Sequence, residues 1–88
     1  MGLGKELTNM NRYSKICGEQ IKKLREYKRL SLRQLADLSN ISYTAIRNYE
    51  MGERSMDIDQ IDILCHALNK DTKEFLDECF EIAMRFNI

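Results

Sequence analysis

Residues 30–52, LSLRQLADLSNISYTAIRNYEMG, read as two short helices joined by a tight turn. Ser31 stands where its hydroxyl can accept a free backbone N–H at the start of the first helix, and Gln34, three residues on, completes a capping box. Leu30 and Leu35 occupy the two hydrophobic-staple positions around that cap. Ser42 repeats the device for the second helix with Ile41 and Ile46 as the staple, although Ala45 at the third position has no side chain to return the box bond. Asn40 lies between the two helices. Asn is among the few residues that accept a left-handed backbone at low cost, so the first helix is expected to stop there.

Projected on a helix of about 3.6 residues per turn, Ala45, Ile46 and Tyr49 of the second helix fall on one side. Tyr43, Thr44, Arg47, Asn48 and Met51 fall on the other. An ordinary surface helix carries long charged residues outward; this one offers a phenol, a hydroxyl, a guanidinium and an amide, the groups that hydrogen-bond base edges.

Leu35-Ala36, Ile41-Ser42, Ile46, Tyr49-Glu50 and Gly52, with Ile21, Leu24 and Arg25 before them and Leu64, Ala67 and Leu68 after, resemble the Cro and phage-repressor (Xre-type) helix-turn-helix family. The resemblance spans roughly residues 16–76. It implies an all-α, five-helix, repressor-like DNA-binding domain whose helix-turn-helix is formed by helices 2 and 3. It further implies a base-reading face of Tyr43, Thr44, Arg47 and Asn48, and phosphate contacts from Arg33, Ser42 and Arg54. Relatives often join the positions of Arg25 and Glu50 by a largely buried ion pair, so the same is expected here. The sequence departs from the family pattern twice. Leu32 stands where relatives often have a phosphate-binding glutamine, and Met56 stands near where many relatives have a loop-stiffening proline, a residue this chain lacks. The first departure leaves only main-chain N–H groups at that helix start, so a modest affinity is expected.

An 88-residue chain makes one small domain, and a core of that size is most readily built from short helices. Hydrophobic residues at 43% and charged residues at 32% are ordinary for a globular chain and argue against bulk disorder. No apolar run is long enough to span a bilayer, and the first residues lack the apolar segment of a signal peptide, so a cytoplasmic protein with no membrane partner is expected. Cys17, Cys65 and Cys79 are odd in number and share no ligand-like spacing; they read as buried free thiols, with neither a disulfide framework nor a metal site. His66 has no second histidine or paired cysteine at ligand spacing and reads as a structural residue.

Net charge is zero, which by itself disfavours a nucleic-acid binder. The charge is polarised along the chain. Residues 1–50 hold ten Lys and Arg against five Asp and Glu, while residues 51–88 hold four against nine. A basic half containing the reading helix and an acidic half free for another surface fit a DNA binder with a possible protein partner at the C-terminal half.

Residues 1–13 show few apolar positions and no clear period, and are expected to form a mobile tail whose Lys5 and Arg12 are within reach of phosphate. Cys17, Ile21 and Leu24 step by four and three, giving a first helix from Ser14 to near Arg29. Asp57 and Gln60 cap a fourth helix with Met56 and Ile61 as the staple; its inner stripe is Ile58, Ile61, Leu64 and Leu68, and it ends at Asn69. Asp71 and Glu74 open a fifth, in which Phe75, Leu76, Cys79, Phe80, Ala83 and Met84 recur at helical spacing. The domain is expected over residues 14–76, with residues 77–88 a C-terminal helix extension. Its apolar stripe exceeds what a four-helix core can cover from one side, so Phe75, Cys79, Phe80, Ala83 and Met84 are expected to join two copies.

No nucleophile elbow, phosphate-cradling glycine loop or metal cluster occurs in the sequence, so no catalysis and no cofactor are expected. The reading is a sequence-specific regulator of transcription that binds double-stranded DNA, acting as a repressor on a palindromic operator as a homodimer. The alternative is a protein-interaction module, an antitoxin or adaptor, on the same fold; a structural role without DNA is the third.

Overall fold

Side-chain caps set where the short helices of the computed structural model begin. Its backbone is described for residues 2–86 and its side chains for residues 12–86. Five helices and no strand occur among the described residues: α1 (Gly2–Tyr27), α2 (Leu32–Ser39), α3 (Tyr43–Glu50), α4 (Ile58–Ala67) and α5 (Thr72–Phe86). The Ser31 hydroxyl accepts from the Gln34 N–H at 3.0 Å while Gln34 Oε1 accepts from the Ser31 N–H at 2.8 Å, closing a capping box on α2. Asp57 and Gln60 close the same box on α4. Ser42 accepts from the Ala45 N–H at 3.1 Å, with no return bond. Asp71 accepts from the Glu74 N–H, but the Glu74 carboxylate turns to Lys70 instead, 2.9 Å away.

Left-handed residues end three of the helices or the turns that follow them. Asn40 (φ 60°) donates its N–H to the Ala36 carbonyl at 2.8 Å, satisfying one of the carbonyls left open at the end of α2. Asn69 (φ 56°) does the corresponding work after α4, and Arg29 (φ 59°) after α1.

The first helix differs from the expectation at both ends. It starts at Gly2 instead of Ser14, and it stops at Tyr27 because Arg29 leaves the helical region. The four-three stepping of Cys17, Ile21 and Leu24 continues backwards through Ser14, Met10, Leu7 and Leu3. Ser14 interrupts the apolar run, and that interruption hid the period.

Ile21, Leu35, Ile46, Tyr49, Leu64, Cys65, Leu68 and Phe75 are almost wholly buried, so every helix contributes to one core. Leu32 and Met56, the two departures from the family pattern, pack half-buried against it. Ile58 was expected on the inner stripe of α4 and is instead 57% exposed. Side chains lean toward the N-terminus of their own helix, so that of the first residue overhangs the helix start and misses the surface that covers later turns.

The stripe of α5 is divided. Phe75, Cys79 and Ala83, expected in a surface joining two copies, are buried in the domain's own core against α1. Phe80 and Met84 remain outside at 55% and 75% exposure, together with Phe86. α1 and α5 run antiparallel: Tyr27 and Leu24 lie near Lys70 and Phe75 at one end, while Arg12 and Ile16 lie near Ile82 and Phe86 at the other.

All three cysteines are free thiols in this core. Burial pushes the Cys65 thiol up to about 11 from 9.0, with a hydrogen bond to Thr72 opposing. The Cys79 thiol is also pushed up, first by its hydrogen bond to Cys17 and then by burial; that same bond lowers Cys17. A raised thiol pKa means that the fold favours the protonated form, so the contribution of Cys65 is complete below pH 9 and is lost as pH rises toward 11. The urea midpoint is expected to fall between pH 8.5 and 10.5 more steeply for the native chain than for Cys65→Ala; equal slopes would show that Cys65 does not carry the effect.

Candidate nucleic-acid interface

α3 is held on α1 by contacts at both its core face and its end. Gly18 of α1 lies so close to α3 that a Cβ built on it would sit 1.9 Å from the Tyr49 carbonyl oxygen. Arg25 donates from Nε and Nη2 to the two carboxylate oxygens of Glu50, at 2.8 and 2.9 Å, and from Nη1 to the Leu30 carbonyl at 2.7 Å. One guanidinium thereby joins the end of α3, the body of α1 and the turn entering α2. The side chains are only 10% and 4% exposed, and the Glu50 hydrogen bonds hold the Arg25 pKa above its ordinary value despite burial. The Ser14 hydroxyl donates to the Ser55 hydroxyl at 2.9 Å, and the Lys15 stem lies over Gly52, fixing the loop after α3.

With α3 pinned in this way, Ala45, Ile46 and Tyr49 are buried while Tyr43, Thr44, Arg47 and Met51 are exposed and Asn48 is half-exposed. Arg47 Nη1 donates to Asn48 Oδ1 at 3.0 Å and reaches Glu53 at 3.5 Å. Two of the expected base readers therefore hold each other in the free protein. A surface contact of this kind is worth at most about 1 kcal/mol and exchanges readily for a base edge.

The expected phosphate residues border this face. Ser42 is exposed with its hydroxyl oxygen already accepting the cap bond, which leaves its hydrogen to donate. Arg33 shares an open groove with Asp37, Asn40, Ser42 and Tyr43. The Arg54 guanidinium lies over the Tyr49 ring, 5.8 Å from its centroid, within cation–π range. Asp37 and Glu53 stand among these cations and reduce the local positive potential. The side chain of Lys5 lies outside the described residues. Gly18, Ser14 and Lys15 escaped the reading of the sequence; a glycine inside an otherwise apolar-periodic helix was the one visible signal, since it costs about 1 kcal/mol against alanine and calls for a packing reason.

Two short helices joined by a left-handed turn, the second with a polar outward face, define a helix-turn-helix domain of the DNA-binding regulators. The helix-turn-helix family HTH_3 matches residues 21–75, and the chain belongs to it. Among solved structures, the clp gene regulator ClgR from C. glutamicum superposes with a TM-score of 0.73 at 25% identity, over 78% of this chain and 90% of that one. A second structure of ClgR from Corynebacterium glutamicum gives 0.75 at 24% identity, over 85% and 81%. An HTH_3 family transcriptional regulator from Vibrio cholerae gives 0.72 at 25%, over 77% of this chain but 38% of its own length. A comparison with curated proteins finds no match. The protein is a DNA-binding transcription regulator by family, and no helix among its described residues is long and apolar enough to cross a membrane.

Proposed function

We propose that the chain is a sequence-specific repressor that occupies a palindromic operator as a homodimer, with Tyr43, Thr44, Arg47 and Asn48 in the major groove. The observation that carries this reading is the outward face of α3. Its hydrogen-bonding side chains are exposed or half-exposed around a helix that its buried side fixes against α1. In this reading Asn48 takes adenine bidentately, Arg47 takes guanine or a phosphate, and Thr44 or the Tyr43 ring meets a thymine methyl. Arg33, Ser42 and Arg54 hold the backbone. One motif touches few base pairs, so useful specificity calls for two half-sites about 34–36 Å apart read by a two-fold pair. Binding at such a site represses by excluding polymerase.

Selection from random duplex DNA tests the proposal. It is expected to yield an inverted repeat whose binding weakens steeply with salt. On that site Asn48→Ala is expected to lose about 1–3 kcal/mol and relax one base position, while Arg54→Ala weakens all sequences about equally. A uniform loss for Asn48→Ala would reassign it to the backbone, and absence of any enriched sequence would favour the protein-interaction reading.

A further inference from the structure

We infer that Cys17 and Cys79 are an oxidisable dithiol, a modification site at which a hydroperoxide closes a disulfide between α1 and α5 and thereby disturbs α3. The antiparallel register of the two helices brings these residues together. Gln20 and Leu24 share one groove with Phe75 and Glu78, and Ile16 shares another with Ile82 and Ala83. Cys17 falls between those contacts on α1, and Cys79 falls between them on α5. Both belong to the same core cluster, and the Cys79 thiol donates a hydrogen bond to the Cys17 sulfur. Cys17, Cys79 and Ala83 are small, so the helices can pack closely where they meet. At about 8–10 Å between axes, with Cα atoms about 2.3 Å from each axis, facing Cα atoms stand roughly 4–6 Å apart, a separation that a disulfide spans.

A core thiol reacts only where a small oxidant reaches it. Cys17 is 9% exposed, whereas Cys65 is wholly buried and bonded to Thr72. The groove of about 240 Å³ that contains Ile16, Ile82 and Ala83 opens between α1 and α5 within one helical turn of both cysteines, and a hydroperoxide is little larger than water. The bond from Cys79 holds the Cys17 thiol below its ordinary pKa, against burial, which makes Cys17 the attacking sulfur. Cys17 attacks one peroxide oxygen: the S–O bond forms, the O–O bond breaks, and the departing hydroxide leaves as water with the Cys17 proton. Cys79 then attacks the Cys17 sulfur of the sulfenic acid; the S–S bond forms, the S–O bond breaks, and a second water leaves with the Cys79 proton. The two thiols lose two electrons and two protons, and one hydrogen peroxide becomes two waters. A dithiol reductant reverses the bond by exchange.

The new bond couples to α3 through the neighbouring residue. A disulfide requires Cβ atoms about 3.5–4.5 Å apart and sulfurs at about 2.05 Å, closer than two thiols in hydrogen-bond contact, so α1 is drawn toward α5. Gly18, about 100° further round α1, packs on the α3 backbone, where a Cβ would sit 1.9 Å from the Tyr49 carbonyl oxygen. That contact has no slack. A movement of α1 therefore disturbs α3 and the Arg25–Glu50 bonds that hold its end. The consequence for DNA rests on the operator-binding reading, whereas the bond and the disturbance of α3 do not.

Hydrogen peroxide added to the reduced full chain tests the site. Titratable thiols in the unfolded chain are expected to fall from three to one, and digestion without reductant is expected to release the peptide of Cys17 joined to that of Cys79. Cys65→Ala is expected to cross-link as the native chain does. Cys17→Ser and Cys79→Ser, confirmed as folded by circular dichroism, are expected to form no cross-link and to keep their DNA affinity after peroxide. In the oxidised native chain, amide hydrogen exchange in α3 is expected to quicken at least about tenfold, and affinity for the selected duplex to fall at least about tenfold. Dithiothreitol, which leaves methionine sulfoxide unchanged, is expected to restore both. Thiols lost without the Cys17–Cys79 peptide, a bond that involves Cys65 or a second chain, or a Cys17–Cys79 bond that leaves α3 exchange or affinity for a selected duplex unchanged would overturn the inference. A bond that quickens α3 exchange in a chain that selects no DNA sequence would leave the site standing and remove the operator.

Discussion

Gly18→Ala is expected to destabilise the domain by at least about 3 kcal/mol, against a helix-propensity gain of up to about 1 kcal/mol that the same change brings on an exposed helix. The sign is decided by what the new methyl meets. Its nearest neighbour is the Tyr49 carbonyl oxygen at 1.9 Å, followed by the carbonyl carbon at 2.8 Å, and both are backbone atoms in the last turn of α3. A flexible side chain could swing away; a helix backbone cannot. α1 must therefore separate from α3 by more than 1 Å, and the separation strains the Arg25–Glu50 pair and loosens Ile21, Ile46 and Tyr49 together. Total stability for a domain of this size is of order 5–10 kcal/mol, so much of it is at stake. Gly52→Ala provides the control. Gly52 has φ +74°, and its new methyl would meet only the Lys15 stem, at 2.9 Å, so a loss near 1 kcal/mol is expected. Urea unfolding of the two variants and the native chain tests the ordering, and a Gly18→Ala protein as stable as the native one would show that the helices are not locked at that contact.

The helix-turn-helix was legible in the sequence because the interactions that define it are local. Ser31 with Gln34, Asp57 with Gln60, Ser42 and Asn40 act within four residues of themselves, so reading the chain in order finds them. The outward face of α3 was legible for the same reason: Ala45, Ile46 and Tyr49 fix its inward side by their spacing alone. What escaped depends on which surface comes opposite. A helical period shows that α5 has an apolar side but not how broad a neighbour covers it, and α1 proved broad enough to bury Phe75, Cys79 and Ala83 while leaving Phe80, Met84 and Phe86 outside. Gly18 carries no side chain to betray a close approach. Arg47, Asn48 and Glu53 were each visible as exposed polar residues, but their mutual hydrogen bonding depends on rotamers that no spacing rule specifies.

Arg25→Ala and Glu50→Ala are each expected to cost about 3–5 kcal/mol, because removing one partner strands the other where water does not reach it. The two losses should differ in character. Without Arg25, the Glu50 carboxylate, 4% exposed, loses both of its donors, and the Leu30 carbonyl loses a third bond of 2.7 Å. Without Glu50, the guanidinium keeps Leu30 as an acceptor and has a longer stem with which to reach solvent, so Glu50→Ala is expected to be the milder variant. Arg25→Lys separates charge from geometry: it keeps the cation but cannot offer two parallel N–H groups to one carboxylate while also reaching Leu30, and a loss of about 1–2 kcal/mol is expected. The double variant Arg25→Met, Glu50→Leu removes both charges and restores apolar volume, and buried pairs replaced in this way often lose little or gain stability. If the pair acts by holding the end of α3 against α1 and the Leu30 turn, that double variant will be near native in stability yet weaker on DNA, since it lacks the directional bonds that set the helix orientation. Denaturation midpoints and a binding titration on one selected operator separate the two effects. Single variants within a few tenths of a kcal/mol of the native chain would show that the pair is a solvated contact and that the packing of Gly18 against Tyr49 alone sets where α3 stands.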